Sequence, residues 1–471
     1  MYVLVMSLGA VIFLGVRSIG ERNSVLLSDH SVDTSQESLV DRTRTSINAP
    51  SPGESDDPHV LGHILATLTA VIVLGYTLGR ALRWFGQPAV IGEVLAGIVL
   101  GPSLLGYWPD AFHLLLPEPS VDPHAHVTVA LKTIAELGVL LYMFVVGLDL
   151  HAAQLRHQAH TAVAISHSSI AFPFVLGSLL ALWLHPIYAP VGVSFTSFAL
   201  FVGVAMAITA FPVLARILTD RGMERTGLGT VALAAAAADD VTAWCLLALV
   251  VGIVQSRVDT ALWVVVGSIG FITAMLLVGR PLARHWCAYL ETRPGSITTI
   301  GLVSGLAAVL TAGWATDSIG IHSIFGGFLL GVIVPHESRL ASELKERLRA
   351  VTAVLLLPAF FAYTGMRTQI GLVSGWENIA YCIVIILVAT AGKFFGTLLA
   401  ARVTGTNWRE SAALGVLMNT RGLMELIVLN IGLDLGVISE TFFAIMVIMA
   451  LATTLATAPL LHFLIREPVT P

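Results

Sequence analysis

Charge is what this chain has least of. Asp, Glu, Lys and Arg together supply 12 % of its 471 residues, whereas soluble domains run near a quarter. So low a share excludes an ordinary soluble enzyme. The 25 basic residues are outnumbered by 30 acidic ones, so no basic surface for nucleic acid is expected. Cysteine is nearly as scarce: Cys245, Cys287 and Cys382 sit in or beside apolar stretches and match no metal-ligand spacing. They read as small apolar residues. No Gly-rich strand–helix unit is present to hold a nucleotide, and no cofactor is expected. What fills the chain instead is apolar, 56 % of it, in runs long enough to cross a hydrocarbon core of ~30 Å. The expected fold class is an all-α polytopic membrane protein.

The first 60 residues stand apart. MYVLVMSLGAVIFLGVRSIG is a short apolar segment without a basic start or a clear small-x-small cleavage site. That favours a retained extra helix over a removed signal. Residues 20–58, rich in Ser, Asp, Glu and Pro, read as a solvated, disordered linker. Thirteen spans follow, at about 61–82, 88–104, 127–149, 161–185, 193–218, 226–254, 259–279, 296–314, 318–334, 349–366, 378–402, 408–432 and 438–465, before a short tail, 466–471. Basic residues test this count. One set of loops carries Arg80 and Arg83; Arg156; Arg216, Arg221 and Arg225; Arg280, Arg284 and Arg293; Arg339, Lys345, Arg347 and Arg349; Arg402 and Arg409; and Arg466. The alternate set carries only Arg257 and Arg367. Basic loops stay in the cytoplasm, so the linker is expected outside and the tail inside. Six spans (61–254), a connecting span and six more (296–465) then form inverted repeats, a plan common among secondary transporters.

The densest polar signal is TVALAAAAADDVTAW, where Asp239 and Asp240 interrupt an apolar helix. A charge at the bilayer centre costs ~2.5–3.5 kcal/mol or more, so intramembrane acids mark functional sites. Lys393 lies mid-span in IVIILVATAGKFFGTLLAARV. A buried ammonium requires an anion, and the two aspartates are its expected partners. Two spans also carry helix breakers, at the same ordinal position in each half. AITAFPVLARIL contains Thr209 and Pro212, and MNTRGLMELIVLNIG contains Asn419, Thr420, Arg421, Gly422 and Glu425. Interrupted helices at matching positions point to a midplane binding site. Arg421 and Glu425 are at i,i+4 spacing and read as a brace for the broken helix.

Several segments in one order now carry a resemblance: QPAVIGEVLAGIVLGPSLLG (87–106), ELGVLLYMFVVGLDL (136–150), ITAFPVLARILTDRG (208–222), AADDVTAW (237–244), GIHSIFGGFLLGVIVP (320–335), GKFFGT (392–397) and MNTRGLMELIVLNIG (418–432). Over about residues 61–465 the chain resembles the monovalent cation:proton antiporters of bacteria and plants, in the second large subfamily, which includes potassium-efflux and plant cation-exchanger relatives. The resemblance implies that Asp240 binds the cation and carries the proton. It implies that Asp239 pairs with Lys393, and that the two broken helices cross beside them. It also implies a homodimer in which a core (161–254 and 378–465) moves against a dimer-forming scaffold (61–149 and 296–366). Potassium-efflux relatives carry a nucleotide-binding domain after the last helix; none is expected after HFLIREPVTP.

The expected activity is exchange of a monovalent cation, Na⁺ or K⁺, for protons by alternating access. A proton and a cation compete for one carboxylate, and the core crosses only when that charge is neutralised. Electroneutral relatives replace the first Asp, so the Asp–Asp–Lys set suggests electrogenic exchange. One net charge per cycle at ~150 mV adds roughly 3.5 kcal/mol. The alternative is an electroneutral K⁺/H⁺ exchanger, or an efflux system served by a separate regulatory subunit. A channel lacks support, because no filter loop or charge ring is visible. Neighbouring helix residues point ~100° apart, so Asp239 and Asp240 do not form a protease dyad. A purely structural membrane protein has no need of such a set. Gly97 and Gly101 form a GxxxG spacing, open between an interface and internal packing. Glu93 and Glu136 lie near span ends, His322 reads as a packing histidine, and His151, His157 and His160 read as solvated loop residues.

Overall fold

A computed structural model describes residues 9–22, 60–108, 115, 126–149, 159–224, 226–254, 258–292, 299–320 and 322–465. The expected linker beyond residue 22, the tail 466–471, His151, His157 and several of the counted loop arginines lie outside the described residues.

The described structure is helical throughout. In chain order come α1 (9–22), α2 (Val60–Trp84), α3 (Ala89–Leu100), α4 (His126–Asp149), α5 (Ala159–Tyr188), α6 (Phe195–Ala207), α7 (Phe211–Asp220), α8 (Gly227–Val254) and α9 (Val258–Ala274). Then follow α10 (Arg280–Glu291), α11 (Thr299–Ile319), α12 (Ser323–Ile333), α13 (Arg339–Val351), α14 (Leu357–Arg367), α15 (Trp376–Val403), α16 (Trp408–Met418), α17 (Leu423–Asp434) and α18 (Glu440–Leu464). Single π-helical turns, Met275–Gly279 and Thr352–Leu356, join α9 to α10 and α13 to α14. Side chains cap several starts: Asn407 accepts from the Glu410 amide and Ser439 from that of Phe442, which satisfies orphan first-turn donors.

Eleven helical stretches among the described residues are long and apolar enough to cross a membrane, and the bent pair α16–α17 makes twelve. The ninth expected span, 318–334, holds only the 11-residue α12. At 1.5 Å per residue that is about 16 Å, half a hydrocarbon core. Among the described residues, eleven or twelve stretches and this one short apolar helix stand against the thirteen full spans expected. His322, the residue before α12, has extended backbone and makes no side-chain cap, so the helix begins only at Ser323.

Packing is reciprocal. The short α3 lies against α14 and the short α12 against α4, while the long α5 and α15 pair with each other. One group comprises α2–α4 and α11–α14; the other comprises α5–α8 and α15–α18, and α9 runs between α8 and α11. The GxxxG glycines serve the first group. A methyl on Gly97 would lie 2.6 Å from the Ala362 Cα, and one on Gly101 would lie 2.7 Å from the Met366 Cα, so the motif seats α3 on α14 of the same chain. The N-terminal helix α1 rests on the second group. Its Phe13 ring lies 5.8 Å from that of Phe174 on α5, and Thr196 at the start of α6 donates to Glu21 at 2.5 Å.

Candidate functional site

Helix α8 enters the second group on a run of alanines, which combine high helix propensity with a slim surface. It packs on α5, α6, α7 and α16, so Asp239 and Asp240 arrive at the middle of the bundle, both 0 % exposed. Their surroundings differ. Asp239 accepts from Lys393 Nζ at 2.8 Å and from Thr209 Oγ1 at 2.7 Å, both on Oδ2. Ser169 Oγ of α5 lies 2.9 Å from its Oδ1. Lys393 also donates to Thr209 Oγ1 at 2.6 Å. Asp240 points elsewhere, as consecutive helix positions must. Its two carboxyl oxygens are buried and have no hydrogen-bond partner among the described residues.

Close packing of α15 on α5 makes the lysine contact possible. Gly392 and Gly396 bracket Lys393. An added methyl on Gly392 would lie 2.8 Å from the Pro173 Cα, and one on Gly396 would lie 2.7 Å from the Ser168 carbonyl. Side chains there would push the ammonium away from Asp239.

The two interrupted helices meet beside the pair. Helix α6 ends at Ala207, α7 starts at Phe211, and the intervening Ala210 amide donates to the Thr420 carbonyl at 2.9 Å. Thr209 Oγ1 lies 3.0 Å from the Met418 carbonyl, at the last residue of α16. The breaks are not equal. The second bends by 42°, whereas Phe195–Thr219 still reads as one 25-residue span. Pro212 lies just past its break. It sits in the first turn of α7, where its missing N–H leaves no bond unmade. Gly422 forms the other break: its φ is 156° and ψ −126°, which only glycine adopts readily.

Arg421 joins the two breaks. Its guanidinium donates to the carbonyls of Ala205 at 3.2 Å and Met206 at 2.7 Å. These are terminal carbonyls of α6, left without intrahelical partners and carrying the negative end of the dipole. Glu425, one turn on, lies 3.4 Å from Arg421, and both are wholly buried. The Thr454 hydroxyl of α18 takes the Arg421 amide and donates to its carbonyl, pinning the bend.

Further oxygens lie buried without hydrogen-bond partners among the described residues along the same elements: Ser166 one turn before Ser169, Thr397 one turn after Lys393, and Asn419 and Thr420 in the bend. Like the Asp240 carboxyl, these are all hard oxygen donors, the type a hard monovalent cation prefers. Among the described residues no cluster of three or more His, Cys, Asp and Glu could hold a metal ion.

Other sequence candidates lie apart. Glu93 is half-buried on α3, facing Gly75. Glu136 pairs loosely with Lys132 at 3.9 Å on α4. Ser169 and Ser166 were not singled out by the sequence. Their only signal is the polar run SHSS inside an apolar helix.

Residues 68–465 match the transmembrane sodium/hydrogen exchanger family. The Na⁺/H⁺ antiporter NhaS4 of Synechocystis sp. is 41 % identical over 410 residues, covering 86 % of this chain and 97 % of that protein. The cation/H⁺ antiporter 17 of Arabidopsis thaliana is 38 % identical over 422 residues, 88 % of this chain. The K⁺/H⁺ antiporter 1 of Saccharomyces cerevisiae is 31 % identical over 386 residues, 79 % of this chain. This chain spans half the length of the plant protein and 43 % of the yeast one. Among solved structures, the sodium proton antiporter MjNhaP1 of Methanocaldococcus jannaschii superposes with a TM-score of 0.65 at 13 % identity, covering 88 % of this chain and all of that one. At that identity the likeness is one of fold.

Proposed function

The chain belongs to the sodium/hydrogen exchanger family, and from that membership we propose that it is a multi-pass membrane antiporter exchanging a monovalent cation, Na⁺ or K⁺, for protons. One observation carries the assignment of roles: of two adjacent buried acids, Asp239 takes donors from Lys393, Thr209 and Ser169, and Asp240 has no hydrogen-bond partner among the described residues. Asp240 is the exchange site. It holds a proton when the site faces acid, and a cation, helped by Thr420, Asn419 and neighbouring oxygens, when it faces alkali. The bare carboxylate cannot cross hydrocarbon, so the core moves only with one passenger or the other, which prevents leak.

Asp239 and Lys393 set the charge balance. If Lys393 releases a proton as Asp239 turns to the cation, two protons exchange for one cation and the cycle is electrogenic. If the pair stays closed throughout, exchange is one for one. Arg421 and Glu425 brace the bend rather than touch the ion. The group α5–α8 and α15–α18 is the mobile core; α2–α4 and α11–α14 form the scaffold through which two copies assemble as a homodimer. The reciprocal packing of α3 on α14 and α12 on α4 supports an inverted repeat. The basic loops lie inside, as does the C-terminus.

The test is cation-driven proton movement in proteoliposomes, with Na⁺ and K⁺ in turn and with an imposed potential. Wild-type exchange that disappears in Asp240→Asn is the expected result. Exchange that survives in Asp240→Asn would refute the site. A rate indifferent to potential would assign the closed-pair, electroneutral cycle.

A further inference from the structure

Charged side chains gather a second time, at the boundary between the two helix groups. Asp434, the last residue of α17, accepts from Lys132 Nζ of α4 at 2.8 Å and from Arg367 Nη2 of α14 at 2.8 Å. One turn earlier, Asn430 takes Arg367 Nη1 at 2.9 Å and gives its amide to Thr364 at 2.9 Å. Gln369 reaches Glu440 of α18 at 3.3 Å. A cleft of about 260 Å³ opens among these side chains. By contrast, Lys345 pairs with Asp149 within the first group. Lys393–Asp239 and Arg421–Glu425 stay within the second.

The crossing pairs share one end of the molecule, near the start of α4 and the last residues of α14 and α17. The charge alternation places that end outside. Their burial is intermediate: the Lys132, Asp434 and Arg367 side chains are 37 %, 33 % and 22 % exposed. Water weakens each contact, so the cluster is strong enough to bias a two-state equilibrium and weak enough to open during turnover.

We propose that Lys132 and Arg367 of the scaffold clasp Asp434 of the core as an outer latch, which holds the carrier facing the cytoplasm and must part before Asp240 is offered to the other side. This rests on the exchange reading above. Asn430 and Thr364 form the buried base of the latch, and Asp434 is a positioning residue that does not touch the ion.

Two measurements test it. In a variant with Cys245, Cys287 and Cys382 changed to serine, Lys132→Cys and Asp434→Cys are joined by a short cleavable bifunctional thiol reagent. The link is expected to form, to stop exchange, and to release it on reduction. A matched pair within the scaffold, Asp149→Cys with Lys345→Cys, is expected to leave exchange running when linked. Full-rate exchange across the Lys132–Asp434 link, or a pair that cannot be joined, overturns the latch. The second measurement needs no transport. In the same background, Thr364→Cys is labelled with a water-soluble maleimide, with and without Asp434→Asn. Labelling roughly threefold faster or more in Asp434→Asn is expected from the loss of both ion pairs, and equal rates overturn the proposal. Wild-type protein that moves no cation refutes the exchange reading, while the labelling rates still decide the latch.

Discussion

Two lysine–aspartate pairs in this molecule have the same length and opposite surroundings. Lys393 and Asp239 meet at 2.8 Å with both side chains 0 % exposed; Lys132 and Asp434 meet at 2.8 Å with theirs 37 % and 33 % exposed. Distance does not separate them, but solvent does. In the first pair neither charge has water to return to, so each needs the other. In the second, either partner can be rehydrated at small cost. The same two side-chain types therefore make a committed charge pair at the centre and a releasable contact at the boundary.

The sharpest way to break this comparison is Lys393→Met. It leaves the Asp239 carboxylate buried with two hydroxyls and no cation, at an expected cost of about 3–5 kcal/mol. Thermal unfolding in detergent reads the loss, and exchange should vanish. Adding Asp239→Asn should recover most of the stability without restoring exchange. A single variant as stable as the parent would show that the centre is wetter than its geometry indicates.

Gly422→Ala comes next. The backbone there would be strained, and the new methyl would lie 2.9 Å from Val213 Cγ2, so a loss of ~1–3 kcal/mol is expected with impaired exchange. Alanine at Gly436, where φ is 64° and a methyl meets nothing within 4 Å, should leave the site intact. Similar transport defects at both positions would mean that local strain, not the bend, is being measured.

Ser169→Ala removes one of three donors to Asp239 and should cost about 1 kcal/mol. Recovery by Ser169→Thr would tie the effect to the hydroxyl. The smallest expected effect is Lys132→Gln, under ~1 kcal/mol. It should fade in 1 M salt, where screening acts within ~3 Å, while the Lys393→Met deficit persists there. A salt-resistant loss in Lys132→Gln would place the latch in the interior class and erase the contrast.

Much of this was legible in the residues. Spans could be placed because hydrocarbon demands long apolar helices, and the acids stood out because charge there is costly. The pairing of Lys393 with an aspartate followed from the same rule, although 154 residues separate them. Which aspartate pairs was not readable from charge alone. It depends on the rotation of α8, and the assignment to Asp239 came with the family resemblance. Ser169 escaped notice because serine is common in membrane helices. Arg421 was paired correctly with Glu425, but its two bonds to the end of α6 were not foreseen, since nothing local to Arg421 points 215 residues back. Span 318–334 holds a shorter helix than expected because hydropathy does not register where a helix starts, and α12 begins only after His322.

The sequence by itself determined the class of molecule, the order of its helices, the two interrupted spans and the presence of a buried Asp–Asp–Lys set. Those properties follow from composition and periodicity, which a nonpolar solvent tests residue by residue. Only the tertiary structure decided that Asp239 takes three donors while Asp240 has none among the described residues, that the GxxxG glycines close on their own chain, and that Asp434 gathers cations from two distant helices. Each of these depends on which faces of separate helices meet, and that is set by packing among segments up to 302 residues apart, which no local pattern encodes.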